Sequence, residues 1–286
     1  MKIGVAHFGC ASAGTVQIVR TLIERLSIQE KTVYGIEYNR VSKEIELKEL
    51  TSKGFSSNLG LDGYVLSSFP NDIWNEKTSV LEDKLSNLDK VILLGGSEAK
   101  INQFLPKLLS VPISIFNSVE GSELTLGYDT ALNSIVEYIE SVRDTASSLS
   151  YGKVRVFNVQ IPGNGLSKLL LNSALAVEAK VVTNTSQEEI EQLKQHIRMK
   201  EAKQESYTFL LMDQSVDPVK LGVHFGEFDL DWKIVEIDES QCGGPKPTAL
   251  DRVIANQLKK AVVDWSLSDQ PSGQLLIQDN QVLFRK

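Results

Sequence analysis

Cysteine is scarce: Cys10 and Cys242 are the only two among 286 residues. They lie far apart and neither belongs to a CxxC pair, which excludes a disulfide framework and a cysteine-ligated metal. Three histidines, His7, His196 and His224, are too few for a His-rich metal centre. No window approaches the roughly 18 uninterrupted apolar residues of a membrane span. The opening Met1-Lys2-Ile3-Gly4-Val5-Ala6 is too short for a signal-peptide core, so a cytoplasmic protein with no membrane partner is expected. Positive charge is also short, with 30 Lys and Arg against 37 Asp and Glu for a net charge of -7, which argues against a nucleic-acid partner. Low-complexity linkers, repeats, charge blocks and a GxSxG elbow are all missing. What is present is 42% hydrophobic and 23% charged residues, the composition of a chain that buries a sizeable core.

Short β-branched runs alternate with segments of helical period, which predicts an α/β protein with helices on both faces of largely parallel sheets. Ile3 to Phe8 reads as a buried strand. After the glycine loop Gly9 to Gly14, a helix places Val16, Val19, Leu22, Ile23 and Leu26 on one face. The pattern repeats at Lys90 to Leu94, then Gly95-Gly96, then an expected helix presenting Ile101, Phe104, Leu105 and Leu108, with the next strand at Ile113 to Phe116. A long helix is expected from Thr125 to Ser147, a strand at Val154 to Gln160, and a helix from Leu166 to Ala176 after the breaker Pro162-Gly163-Asn164-Gly165. Val181 and Val182 make a short strand and Gln187 to Lys203 a charged helix. Tyr207 to Met212 and Lys233 to Ile237 read as strands, Leu250 to Trp265 as a helix, and Gln274 to Arg285 as a hairpin turning at Asp279-Asn280. Two closely packed, Rossmann-like lobes are expected in one unit over 1–286, roughly 1–124 and 125–286, with the last strands able to cross back. Leu50 to Asn75 is the candidate excursion from the core.

Glycine turns after parallel strands can aim backbone N–H groups at an anion, so Gly9, Cys10, Gly95, Gly96 and Ser97 are nucleotide-binding candidates. Neither loop matches a P-loop or GxGxxG, and tight packing of the βα turns explains the same glycines. His7 beside the first loop reads either as a phosphate or catalytic group or as a buried, hydrogen-bonded imidazole. Cys10 reads as a reactive thiolate or as a small buried spacer.

Taken together these motifs resemble the 6-phosphofructokinase family, of the bacterial ATP-dependent type, along nearly the whole chain. Thr125-Leu126-Gly127-Tyr128-Asp129-Thr130-Ala131-Leu132, continuing to Arg143-Asp144-Thr145-Ala146-Ser147-Ser148, is similar to the family's central helix. Gln241-Cys242-Gly243-Gly244-Pro245 and Asp251-Arg252 resemble its Gln-Arg-Gly-Gly-x-Pro and Asp-Arg motifs. The resemblance implies transfer of a phosphoryl group from ATP or pyrophosphate to fructose 6-phosphate with Mg²⁺. That chemistry needs a phosphate cradle, a metal-binding acid, a carboxylate base and cationic clamps.

The departures fall on those groups. Gly95-Gly96-Ser97-Glu98-Ala99 stands for Gly-Gly-Asp-Gly-Ser, whose Asp serves the metal. Between Pro112 and Thr125, where the family carries Thr-Ile-Asp-Asn-Asp, the chain reads several residues shorter, so the base's loop is expected to be absent, with Glu120 and Glu123 as weak substitutes. Cys242 replaces a clamp Arg, Glu239 a His, and Gln160-Ile161-Pro162 the sequence Met-Gly-Arg. Lys153 keeps a charge near the sugar-phosphate region or is simply solvated. Arg20 and Arg143 match two effector-site arginines, but a third is Glu24 here, and surface or interface salt bridges explain both equally. The expected protein is a catalytically inactive member with no certain cofactor and no metal site. It would bind a small phosphorylated metabolite or nucleotide, or act as a regulatory or structural subunit, in a homo-oligomer or beside a true phosphofructokinase. The alternative is an active enzyme using Mg²⁺ and ATP, with Glu98, Glu120 or Glu123 as the replacement carboxylate.

Overall fold

The computed structural model describes residues 1–9, 14–51, 66–96, 106–148, 152–244 and 246–286. Along the chain the elements are β1 (Lys2–His7), α1 (Thr15–Ser27), β2 (Thr32–Asn39), β3 (Glu44–Leu50), α2 (Asn71–Glu76), α3 (Thr78–Leu85), β4 (Lys90–Leu94) and β5 (Lys107–Val111). There follow α4 (Tyr128–Ser148), β6 (Val154–Ile161), α5 (Lys168–Ala176), β7 (Lys180–Val181), α6 (Gln187–Ala202) and β8 (Tyr207–Asp213). The last are α7 (Pro218–Val223), β9 (Leu230–Glu236), α8 (Glu239–Cys242), α9 (Ala249–Leu267), β10 (Gly273–Gln278) and β11 (Gln281–Arg285). Two compact units result: Met1–Asp129 with Pro245–Lys286, and Thr130–Gly244. The division near 124/125 therefore falls slightly later, and α9 and the last strands return to the first unit.

In the first unit a seven-stranded sheet runs β11-β10-β5-β4-β1-β2-β3. Its inner pairings are parallel, while β2–β3 and β10–β11 are antiparallel hairpins. The hairpin at Asp279-Asn280 has both residues at positive φ, 48° and 58°, the backbone of a type I′ turn that follows the twist of the strands. One face of the sheet is covered by α1 and α9, where Ile18, Val19, Leu22, Ile23 and Leu26 meet Ile254, Ala255, Leu258 and Val262. The other face is covered by α2 and α3 through Trp74, Leu81 and Leu85, together with Phe8 and Phe69. Gly14 opens α1, and a Cβ there would stand 2.8 Å from the Ala255 Cβ and from Leu126, so glycine permits the close approach of α1 to α9.

The second unit has an all-parallel sheet, β7-β8-β6-β9. Leu193 and Ile197 of α6 and Leu221 of α7 pack with Val154, Val156, Leu210 and Met212 on one face. Ser186, Asp217 and Thr248 cap α6, α7 and α9 by accepting backbone N–H groups in the first turn.

Two elements differ from the sequence reading. The segment expected to carry a helix through Leu108 contains the strand β5 instead, because Leu108 and Leu109 are both buried and a strand covered on both faces shows no alternation. Ile101, Phe104 and Leu105 lie outside the described residues. The strand expected at Ile113 to Phe116 reduces to one bridge, Ile113 to Leu126. Of the candidate excursion, 52–65 lies outside the described residues, while Phe69 donates its N–H to the His7 carbonyl at 2.7 Å and so ties the segment to the end of β1.

Candidate functional site

In the first unit β1 and β4 are parallel neighbours, with His7 opposite Leu94, so their glycine turns lie side by side at the carboxyl ends of the strands. Gly9, Gly95 and Gly96 have φ of 72°, 80° and 69°, a region that an L side chain enters at a cost. The Gly95 N–H donates to the Val111 carbonyl at 3.1 Å, and the Phe8 N–H to the Leu94 carbonyl at 2.9 Å. A Cβ on Gly95 would stand 3.0 Å from the Phe8 carbonyl oxygen and 3.1 Å from that of Ile113; one on Gly96 would stand 2.6 Å from the Phe8 ring. Among the described residues nothing lies within 4 Å of a Cβ on Gly9. The buried Phe8 ring meets Trp74 edge-on at 5.3 Å and Phe69 at 6.0 Å. His7 is buried. Cys10, Ser97 and Glu98 lie outside the described residues.

The stretch after β5 corrects the expectation of a lost loop. From Pro112 to Leu126 the chain makes a closed excursion: Leu126 donates to the Pro112 carbonyl at 2.9 Å, Ser114 to the Leu126 carbonyl at 3.1 Å, and the Thr125 hydroxyl to the Ser114 carbonyl at 2.6 Å. Within this loop Ser114-Ile115-Phe116-Asn117-Ser118 resembles the family's Thr-Ile-Asp-Asn-Asp at Ile115 and Asn117. A loop is present, and its carboxylates are Glu120 and Glu123. Asn117 sits buried at φ 52° and its side-chain amide donates to the Glu123 carbonyl at 2.8 Å.

Glu123 is held by the C-terminal hairpin. Its N–H donates to the Ile277 carbonyl at 2.8 Å, and its carboxylate accepts the Asp279 N–H at 2.9 Å in the type I′ turn. The Ser122 hydroxyl accepts the Ile277 N–H at 2.9 Å. Glu120 is exposed, with its backbone carbonyl 3.5 Å from the Arg285 guanidinium.

Arg20 and Arg143 lie in different units. Arg20 pairs on α1 with Glu24 at 2.9 Å, one helical turn on. Arg143 on α4 donates to the Val177 carbonyl at the end of α5, pairs with Glu140 at 3.6 Å, and stands 5.5 Å from the Phe209 ring centroid. A guanidinium on the last carbonyls of a helix complements its dipole, so this arginine has a structural post.

The remaining candidates belong to the second unit. Lys153 pairs with Asp229 at 3.1 Å. Cys242 is fully buried. Gln241 forms a capping box with Asp238, whose carboxyl is held below the usual range first by the Ser240 hydroxyl and then by the Gln241 N–H. Gln160 donates to the carbonyls of Asp213 and Val216 at 3.3 and 2.8 Å. Sequence reasoning passed over Asp213, a buried carboxylate that accepts the Gly165 N–H at 2.6 Å; Asp251, of the Asp251-Arg252 motif, accepts the Gly127 N–H at 2.9 Å in the first unit. A lone Asp gives no periodic signal, although Gly127 at φ 100° lies within the recognised motif. His196 meets the Thr208 hydroxyl at 2.8 Å, and burial first, then Lys200 and Lys180, lower its pKa. His224 is exposed at the end of α7. Among the described residues no three His, Cys, Asp or Glu side chains converge as a metal site, and no helix is long and apolar enough to cross a membrane.

Parallel strands in both units, with neighbouring glycine turns at the ends of β1 and β4 in the first, define an α/β protein of the class that offers ligands the carboxyl ends of its strands. The phosphofructokinase family model matches residues 2–266. Relatives include an ATP-dependent 6-phosphofructokinase 2 of Bacteroides thetaiotaomicron, 28% identical across 99% of this chain and 90% of that one. An ATP-dependent 6-phosphofructokinase of Shouchella clausii is 25% identical across 99% and 91%. In fold, the chain is similar to a phosphofructokinase of Pichia pastoris in the T-state, with a TM-score of 0.74 at 19% identity, covering 99% of this chain and 36% of that one. A pyrophosphate-dependent phosphofructokinase of Marinobacter aquaeolei gives a TM-score of 0.69 at 13% identity, covering 99% and 81%. The chain thus spans about a third of the Pichia chain and most of the bacterial ones. It belongs to the phosphofructokinase family.

Proposed function

We propose that this chain is a cytoplasmic phosphofructokinase-family protein without phosphoryl-transfer activity, serving as a structural or regulatory subunit in a homo-oligomer or beside an active phosphofructokinase. One observation carries the reading: the carboxylates between Pro112 and Leu126 are Glu120 and Glu123, with Phe116 and Ser118 standing where the resemblance has aspartates, and the Glu123 carboxylate caps the Asp279 turn. An in-line transfer needs a carboxylate to take the hydroxyl proton and an acid to hold Mg²⁺. A phenyl ring offers neither, and a serine hydroxyl has no negative charge to attract the cation.

The anion-binding parts support the same reading. Of the paired glycines, Gly95 gives its N–H to Val111 and Gly96 abuts Phe8, so these residues do not fit a seat for the phosphates of ATP. The replaced clamp Arg is a buried Cys242, and the replaced His is Glu239, which repels a sugar phosphate. Arg20 and Arg143 are the remaining candidates for a phosphorylated metabolite or nucleotide, each already paired within its own unit.

The second reading is an active 6-phosphofructokinase using Mg²⁺ and ATP or pyrophosphate, favoured by the exposed Glu120 as a substitute base. A coupled assay with fructose 6-phosphate, Mg²⁺ and either donor, run beside an E120Q/E123Q variant, separates the two. No turnover by folded wild type is the expected result. Turnover that disappears in the variant establishes the second reading.

A further inference from the structure

We propose that Asn164-Gly165, on the turn between β6 and α5, is a site of self-modification, at which Asn164 is converted to aspartate and isoaspartate with the Asp213 carboxylate as the base. It is the chain's one Asn-Gly pair. In such a pair the backbone nitrogen of the second residue can close a five-membered imide on the asparagine side chain, and glycine, having no Cβ, leaves that nitrogen unhindered. Both residues are exposed to water. Gly163 and Gly165 have φ of 130° and 115°, so Asn164 stands between two positions that glycine adopts freely. Among the described residues nothing lies within 4 Å of a Cβ on Gly165, which leaves the Asn164 carboxamide space to turn back on the chain. Asn39, Asn117, Asn158, Asn184 and Asn256 all hold their carboxamides in hydrogen bonds. The Asn164 carboxamide makes none among the described residues.

The attacking nitrogen is also prepared. Gly165 donates its N–H to the Asp213 Oδ2 at 2.6 Å, a charge-assisted bond to a carboxylate that is 2% exposed at the end of β8. The other oxygen, Oδ1, accepts the Ser215 N–H at 2.8 Å and the Ser215 hydroxyl, which leaves Oδ2 to the Gly165 proton. Gln214 donates its N–H to the Gly163 carbonyl at 3.1 Å and so holds the turn over Asp213. A base already seated on the proton that must leave lowers the barrier to attack. As the Gly165 nitrogen bonds to the Asn164 Cγ, its proton passes to Asp213 Oδ2. That proton then goes to the carboxamide nitrogen, the Cγ–N bond breaks, ammonia departs, and Asp213 is a carboxylate again. Water opens the imide at either carbonyl, giving aspartate or isoaspartate, with one water consumed and one ammonia released overall. The product carries a new negative charge close to Asp213, and isoaspartate lengthens the main chain just before Ser167, the residue that caps α5. None of this depends on whether the chain transfers phosphoryl groups.

The test is incubation of the full chain at neutral pH in water labelled with heavy oxygen, followed by peptide mapping in a mass spectrometer that separates asparagine, aspartate and isoaspartate at position 164. Native wild type, Asp213→Asn and wild type unfolded in urea are compared. The expected result is conversion in native wild type at least about ten-fold faster than in the other two, the low end of what a positioned base contributes, with heavy oxygen in both products. Circular dichroism establishes that Asp213→Asn folds; should it not, native against unfolded wild type decides, since unfolding separates Gly165 from Asp213. Conversion in native wild type no faster than in the unfolded chain overturns the proposal, because the bond to Asp213 then shields the nitrogen. A folded Asp213→Asn that converts as fast as wild type overturns it as well.

Discussion

Replacing Gly96 by Ala, with Gly9→Ala as its control, tests whether the paired glycines seat the Phe8 ring. Both positions have nearly the same positive φ, 69° and 72°, so an alanine pays the same left-handed backbone cost at each, about 1–2 kcal/mol, partly offset by a stiffer unfolded chain. Their surroundings differ. Among the described residues a Gly9 Cβ meets nothing within 4 Å, whereas a Gly96 Cβ stands 2.6 Å from the Phe8 Cδ2 and 2.8 Å from its Cγ, inside a ring cluster with little room to move. Overpacking a fixed core costs a further ~1–3 kcal/mol. Gly9→Ala is therefore expected to destabilise by about 1 kcal/mol and Gly96→Ala by about 2–4 kcal/mol. Urea denaturation followed by tryptophan fluorescence suits the measurement, since Trp74 packs against Phe8 in the first unit. In a double-mutant cycle with Phe8→Leu the excess cost of Gly96→Ala shrinks by about 1 kcal/mol or more. Equal costs at the two glycines, or strict additivity with Phe8→Leu, refute the packing argument.

Three helices, α1, α5 and α6, end in paired backbone bonds around a non-glycine residue at positive φ: Glu30, Glu178 and Gln204. Changing each to Gly removes the left-handed strain, and a stabilisation of about 0.5–1 kcal/mol per site is expected in denaturant melts. Arg20→Ala should change stability by less than about 0.5 kcal/mol because its partner is an exposed helical neighbour, whereas Arg143→Ala, which strips the end of α5, should cost about 1–3 kcal/mol in the same melts. The folded pKa of His196 lies below its unfolded value near 6.5, so below that pH the unfolded state binds more protons and stability falls with acid. His196→Gln is expected to flatten the stability profile between about pH 5 and 7, and an unchanged slope would remove His196 as its source.

Elements with a long apolar period were legible from the chain alone. In α4, α6 and α9 the spacing of apolar residues gives the helix, and the Asp279-Asn280 turn gives the last hairpin. The hairpin of β2 and β3 was not read: β3 carries Glu44, Glu46, Lys48 and Glu49 at an open sheet edge, where charge hides the strand signal. β5 was taken for part of a helix because burial on both faces erases alternation. At the candidate site, the glycines and the family motifs stood in the sequence, and so did the substitutions at Cys242 and Glu239. The contact of the Phe8 ring with Gly96 did not, since it joins residues far apart in the chain. Nor did the engagement of Glu123 with Asp279, which joins residues far apart in the chain and depends on how β10 lies beside β5.

The function proposed above requires that no group among the described residues takes the proton and holds the metal for phosphoryl transfer. Its most direct test is a single-turnover experiment with protein in excess over ATP labelled at the γ-phosphate, in the presence of fructose 6-phosphate and Mg²⁺. Kinases of this chemistry turn over at about 1–100 per second, and loss of a general base alone lowers such a rate by roughly 10²–10⁴-fold. The account predicts no labelled sugar bisphosphate above that lowered range for a fully folded sample. Labelled product formed at about 1 per second or faster would contradict it.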